Sequence, residues 1–108
     1  MDLVLQDFVR RVCERLGDRV VAISLFGSRA RGTARPWSDH DLLVVVRGDR
    51  RAARDELARI ETDILLQSAA DVSPKVVTEE QFQTLADGPE PFWRDFRRDE
   101  VRLWPATP

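Results

Sequence analysis

Two aspartates, Asp39 and Asp41, stand either side of His40, and an apolar run, Leu42-Leu43-Val44-Val45-Val46, follows at once. If that run is a strand opened by Asp41, side chains two apart share a face, with roughly 6.5–7 Å of chain rise between them. Two carboxylates aimed at one place repel each other unless a cation or a proton intervenes. So placed, they can grip a pair of cations about 3.5–4 Å apart. Aspartate oxygens are hard ligands, which selects Mg²⁺ or Mn²⁺, and no His or Cys cluster points to zinc. His40 projects to the opposite face and is expected to pack rather than to ligate.

Ten residues separate Ser28 from Asp39, and Gly27-Ser28 closes a second apolar run over residues 20–26. Gly27 lets the backbone approach a ligand with no Cβ in the way. Ser28 is expected to cap a short helical turn reaching Arg31, whose free N–H groups attract phosphate. Its hydroxyl can donate to a phosphate oxygen as well. Phosphates on one side and cations on the other make a nucleoside triphosphate site. Arg29 and Arg31 have two readings, contact with the triphosphate or an acidic partner, and a solvated face of the turn. Ser38 can orient Asp39 or simply close a turn. Trp37 can stack on a base or pack the loop.

These groups need a scaffold. Leu5, Phe8, Val12 and Leu16 recur at helical spacing behind Asp2, a capping residue, and Gly17 is placed to end that helix. Residues 20–26 lack alternation, which suggests a strand covered on both faces. The segment 32–38 should be loop. Asp49 can cap a long helix with Ala53, Leu57, Ile60 and Ile64 as its apolar stripe, fraying near Gln67. A third strand is expected over about residues 73–77, and Pro74 near its start hints at a sheet edge. Thr78 with Gln81 resembles a capping box, opening a helix that turns Phe82 and Leu85 inward. A last helix carries Phe92, Trp93 and Phe96, with Arg94, Asp95, Arg97, Arg98, Asp99 and Glu100 on a solvated face. Val101–Trp104 reads as a short final strand, and Trp93, Phe96 and Trp104 are expected to complete the core. Alternating strands and helices imply an α/β (α+β) layer, a small mixed sheet with helices packed on it, in one domain over 1–108 with a loose tail at 105–108.

Composition narrows the function classes. Apolar residues make 43% of the chain and charged residues 33%, an ordinary soluble composition. A net charge of −2 with no basic stripe counts against a nucleic-acid partner. No apolar stretch approaches membrane-spanning length, the first residues lack the basic-then-apolar pattern expected of a signal peptide, and Cys13 has no second cysteine to pair with. The expected setting is the cytoplasm, with Cys13 a small core residue of the first helix.

The pattern Gly27-Ser28, then Asp39-x-Asp41 on the following strand, resembles the signature of the DNA polymerase β-like nucleotidyltransferases. The fuller runs Gly27-Ser28-Arg29-Ala30-Arg31-Gly32 and Ser38-Asp39-His40-Asp41-Leu42 resemble the minimal nucleotidyltransferases, single-domain proteins of about this length. The resemblance implies transfer of a nucleoside monophosphate, AMP from ATP being the expected case, to an acceptor hydroxyl with release of pyrophosphate. It implies that Gly27 and Ser28 hold the β- and γ-phosphates and that Asp39 and Asp41 bind both metal ions. It further implies a HEPN-type helical toxin as partner, neutralised by binding or by adenylylation of a tyrosine. This chain has no tyrosine, so it cannot modify itself at that residue type. The family also supplies a third carboxylate from the next strand. Here Ser73 or Pro74 falls at that position, with Asp71 and Lys75 nearby. A degenerate nucleotide-binding module that neutralises its partner by binding alone is therefore the alternative. A domain this small leaves one side of the pocket open, and the partner protein or a second copy is expected to close it.

Overall fold

The computed structural model describes residues 2–106. Helix α1 spans Leu3–Leu16, and the Asp2 carboxylate accepts from the Leu5 N–H at 2.8 Å to cap it. Strand β1 (Val20–Phe26) leads without a break into α2 (Gly27–Arg31), and a loop carries the chain to β2 (His40–Val46). Helix α3 (Arg50–Ser68) is capped by Asp49, which accepts from the N–H groups of Arg51 and Ala52. Strand β3 (Val72–Thr78) passes into α4 (Glu79–Leu85) through a full capping box between Thr78 and Gln81. Helix α5 (Pro91–Asp99), with proline in its first turn, and strand β4 (Val101–Trp104) complete the order.

The sheet runs β3-β2-β1-β4. β1 is antiparallel to both neighbours, and β2 is parallel to β3 by way of α3. This is the mixed sheet the sequence implied, and β3 is an edge strand, as Pro74 suggested. Helices α1 and α3 cover one face. Their stripes, Phe8 and Val12 from α1 with Leu57, Ile60 and Ile64 from α3, close over Ile23, Leu42 and Val44. Helices α4 and α5 cover the other face, where Leu43, Val45, Trp93 and Phe96 form a second core with Phe26, Phe82 and Phe92 packed against it. Both central strands are therefore buried on both sides, which is why residues 20–26 and 42–46 show no alternation. The odd positions of β2 share one face. Asp41, Leu43 and Val45 all look toward α5, and the second core is the floor beneath the aspartate.

The structure differs from the sequence reading at several points. β2 begins at His40 rather than Asp41, because the His40 N–H already pairs with the Asp71 carbonyl at 3.0 Å. α2 begins at Gly27 with Phe26 in the capping position and no side-chain cap, so Ser28 lies inside the first turn instead of capping it. Trp104 packs against the α1–α3 core, apart from Trp93 and Phe96, because β4 turns it to the other face. Asp99 is buried rather than solvated. Cys13 is half-buried against the first core, and burial raises its thiol pKa. Among the described residues no helix is long and apolar enough to cross a membrane. Residues 107 and 108 of the expected tail lie outside the described residues.

Candidate active site

Asp41 sits at the centre of a row across the sheet, with Phe26 of β1 on one side and Ser73 of β3 on the other. Its carboxylate reaches toward the start of α2. A Cβ added to Gly27 would overlap the Asp41 carboxylate, and Gly27 has φ +76°. Glycine is thus required twice, by backbone conformation and by the approach of Asp41. The start of the helix turn and the acid are thus in close contact, and the first turn of a helix leaves N–H groups without intrahelical partners.

Alanine at position 27 is expected to lower stability by about 1–3 kcal/mol from backbone strain alone, with a further loss from displacing Asp41. Gly32 is the control. It has φ +79°, but a Cβ there would meet no atom within 4 Å, so Gly32→Ala carries strain without the clash. Thermal melts of both variants should show Gly27→Ala the less stable, and only Gly27→Ala should lose nucleotide affinity.

Asp39 is exposed and Asp41 is half-buried. Burial raises the Asp41 pKa above the ordinary carboxylate value, and the charge of Asp39 adds to it. Lys75, Arg31 and His40 act in the opposite direction. Asp41 therefore feels the charge of Asp39, the condition under which a divalent cation is welcome. Among the described residues no group of three or more His, Cys, Asp or Glu forms a ready ligand cluster. Two hard carboxylates fit a Mg²⁺ or Mn²⁺ site to which substrate oxygens contribute the remaining ligands.

His40 turns away from the aspartates, as expected. It is buried, with Nδ1 3.1 Å from the Asp71 carbonyl oxygen and Nε2 3.5 Å from the Asp2 carboxylate. Position 73, opposite Asp41 in the register, is serine, while Pro74 pairs with Leu42 and so belongs to the other face. Asp71 precedes β3 in an exposed loop. The nearest basic group along β3 is Lys75, opposite Leu43, with its ammonium 5.5 Å from the centre of the Phe92 ring. The sequence allows a serine or Lys75 in the place of the missing acid; the register gives that place to Ser73 and puts Lys75 two residues further along β3. Period-two spacing from Ser73 could have put it on the site's face.

The arginines of the turn have definite partners. Arg29 donates from Nε and Nη2 to the Ser38 carbonyl at 2.9 and 2.8 Å, tying α2 to the loop that delivers Asp39. The Ser38 hydroxyl accepts from the Arg35 N–H at 3.0 Å and closes a turn in that loop. Trp37 is 73% exposed, with the Arg35 guanidinium 5.7 Å from the centre of its ring.

Arg31 donates to Asp99 at 2.7 Å and so fastens α2 to the end of α5. Asp99 also accepts from Arg98, and these two guanidinium groups, Arg98 foremost, hold its carboxyl at about 2. A carboxylate whose folded pKa is depressed stabilises the fold above its unfolded value of about 3.9. That contribution is lost as pH falls through about 2. Asp99→Asn should therefore be less stable than the natural chain at pH 7, and the two should converge as melts are taken from about pH 4 toward pH 2. A constant gap over that interval would contradict the ion pair.

The family model for the nucleotidyltransferase domain matches residues 5–102. A Methanocaldococcus jannaschii protein, putative protein adenylyltransferase MJ1305, is 36% identical over 77 residues, which are 68% of this chain and 52% of that protein. The chain thus spans about half the length of the curated relative it matches. A solved structure of a putative minimal nucleotidyltransferase has a TM-score of 0.57 at 27% identity, over 92% of this chain and 88% of that one. A chain of the complex of tri-AMPylated Shewanella oneidensis HEPN toxin with MNT antitoxin has a TM-score of 0.53 at 19% identity, over 96% of this chain and 72% of that one, a likeness of fold. With the Gly27-Ser28 turn packed on Asp41, the polymerase β-like sheet and a match across nearly its whole length, the chain belongs to the nucleotidyltransferase domain family.

Proposed function

We propose that this chain moves a nucleoside monophosphate, AMP from ATP, to a hydroxyl of a partner protein, as the antitoxin of a HEPN-type toxin. The observation that supports the reading is the close packing of Asp41, which feels the charge of Asp39, on Gly27 at the start of a helical turn. Protein adenylylation in the name of the archaeal relative and an AMPylated toxin in the fold relative's complex support AMP as the group moved.

The chain's own groups divide the work. Gly27 and Ser28 take the β- and γ-phosphates at the free N–H groups of α2. Asp39 and Asp41 would hold Mg²⁺ or Mn²⁺, which supplies Lewis-acid stabilisation of the charge that develops on the phosphates. Arg29 keeps the loop closed so that Asp39 stays beside Asp41. The acceptor oxygen bonds to the α-phosphorus as the α–β bridge breaks and pyrophosphate leaves. The hydroxyl proton passes to solvent, since Ser73 stands opposite Asp41 where relatives would place a carboxylate.

That same serine favours a second reading, a module that keeps the nucleotide pocket but silences its partner by binding alone. Intact-mass measurement separates the two. The protein is mixed with the helical product of a neighbouring reading frame, ATP and Mg²⁺. AMP adducts on the partner that disappear with Asp39→Asn support transfer. Neutralisation of the partner without adducts, untouched by Asp39→Asn, supports binding alone.

A further inference from the structure

A groove of about 320 Å³ follows the outer edge of β3. It reaches the proposed active site through Leu43, the next residue after Asp41 on that face of β2, and through Lys75, whose charge acts on Asp41. Its floor is apolar, with Pro74 and Phe92 prominent. Its rim carries Arg50, Arg54 and Lys75, and no Asp or Glu lines it. Among the described residues these three cations make no ion pair with a carboxylate. Arg50 donates from Nε to the Val76 carbonyl at 3.0 Å, Lys75 lies over the Phe92 ring, and Arg54 has no ion pair among the described residues. Elsewhere Arg10, Arg11, Arg15, Arg31, Arg47, Arg59, Arg98 and Arg102 each meet a carboxylate, while the arginines without one are scattered rather than gathered round an apolar floor. In a chain of net charge −2, a groove rimmed by three cations and no lining acid is a local reversal of sign.

The edge strand itself is a poor template for main-chain pairing. Pro74 offers no N–H, and the Val76 carbonyl is already taken by Arg50. Recognition here must come from side chains. Direction follows from the sheet. The α2 turn lies on the β1 side of Asp41 and β3 lies on the other. If the triphosphate occupies the α2 side, the acceptor enters over β3.

We infer that this groove docks an acidic segment of the acceptor polypeptide, its carboxylates on Arg50, Arg54 and Lys75 and an apolar side chain over Phe92. The inference rests on the transfer reading given above. Nucleic-acid phosphates could meet the same rim, but they would leave the apolar floor unused, and the chain has no basic stripe to continue the contact.

The test uses fluorescence anisotropy with three labelled probes, in the presence of Mg²⁺ and AMP-PNP. One is the peptide Glu-Leu-Glu-Ser-Glu-Phe-Glu-Glu, one is its counterpart with Gln for every Glu, and one is a single-stranded DNA oligonucleotide. The acidic peptide should bind at least about tenfold more tightly than the neutral one, and less so as salt rises. Arg54→Glu, a change on an exposed face of α3, should weaken the acidic peptide roughly fivefold and leave AMP-PNP affinity unchanged. Equal binding of the two peptides, indifference to Arg54→Glu, or preference for the oligonucleotide would each overturn the inference. Failure of the natural chain to bind AMP-PNP while it still selects the acidic peptide would sink the transfer reading and spare the groove.

Discussion

Asp41→Asn is expected to reduce nucleotidyl transfer by about a thousandfold or more, the scale of losing metal-assisted charge stabilisation, and yet to raise the melting temperature of the unliganded protein. The two effects share one cause. Burial and the neighbouring charge of Asp39 lift the Asp41 pKa above that of an unfolded aspartate. A carboxylate whose folded pKa is raised destabilises the fold when ionised. That penalty is absent below the unfolded value of about 3.9 and complete above the folded one. At pH 7 the natural chain carries it and the asparagine variant does not. The gap in melting temperature should therefore close as the pH is lowered toward about 4. Mg²⁺ should reverse the order, because an ion that binds only the folded natural chain stabilises it by mass action. Asp41→Asn melting below the natural chain at pH 7 without metal would show that the two acids do not strain the fold.

Phe96→Ala is expected to cost about 3–5 kcal/mol, a large share of the roughly 5–15 kcal/mol that typically holds a domain together. Phe96 is almost fully buried, and its ring lies 5.6 Å from that of Phe26 and 5.7 Å from that of Trp93, both edge to face. Phe26 pairs with Asp41 across the sheet, so this aromatic cluster is the floor of the site. The variant should unfold at markedly lower denaturant concentration and lose nucleotide affinity with its stability. Trp37→Ala is the contrast. That ring is exposed in the loop, and its removal should change stability by less than about 0.5 kcal/mol. Any loss of nucleotide affinity in Trp37→Ala would then report base stacking rather than folding. Urea titrations of the two variants check both statements.

What the sequence made legible follows from the range of each interaction. The stripes of α1 and α3 and the caps at Asp2, Asp49 and Thr78 depend on neighbours three or four positions away, and all stand where they were expected. The unalternating runs of β1 and β2 signalled cover on both faces for the same local reason. The fate of Asp99 was hidden, because its partner Arg31 lies on α2, 68 positions distant, and a mixed charged helix face looks solvated until another element reaches it. The use of Arg29 on the Ser38 carbonyl was equally invisible, since guanidinium groups bind carbonyls as readily as phosphates. The choice between Ser73 and Pro74 needed the parallel register of β2 and β3, which no single strand encodes. The place of Lys75 needed that register too. Its importance is its position across the sheet from Leu43, one step from Asp41.

The most direct measurement is a calorimetric titration of AMP-PNP into the natural chain and into Asp39→Asn, each with Mg²⁺ and each with chelator. Binding by the natural chain should depend on the divalent ion, and Asp39→Asn should erase that dependence. Equal affinity with and without Mg²⁺, or an unchanged metal requirement in Asp39→Asn, would contradict a nucleotide site built on this pair of acids.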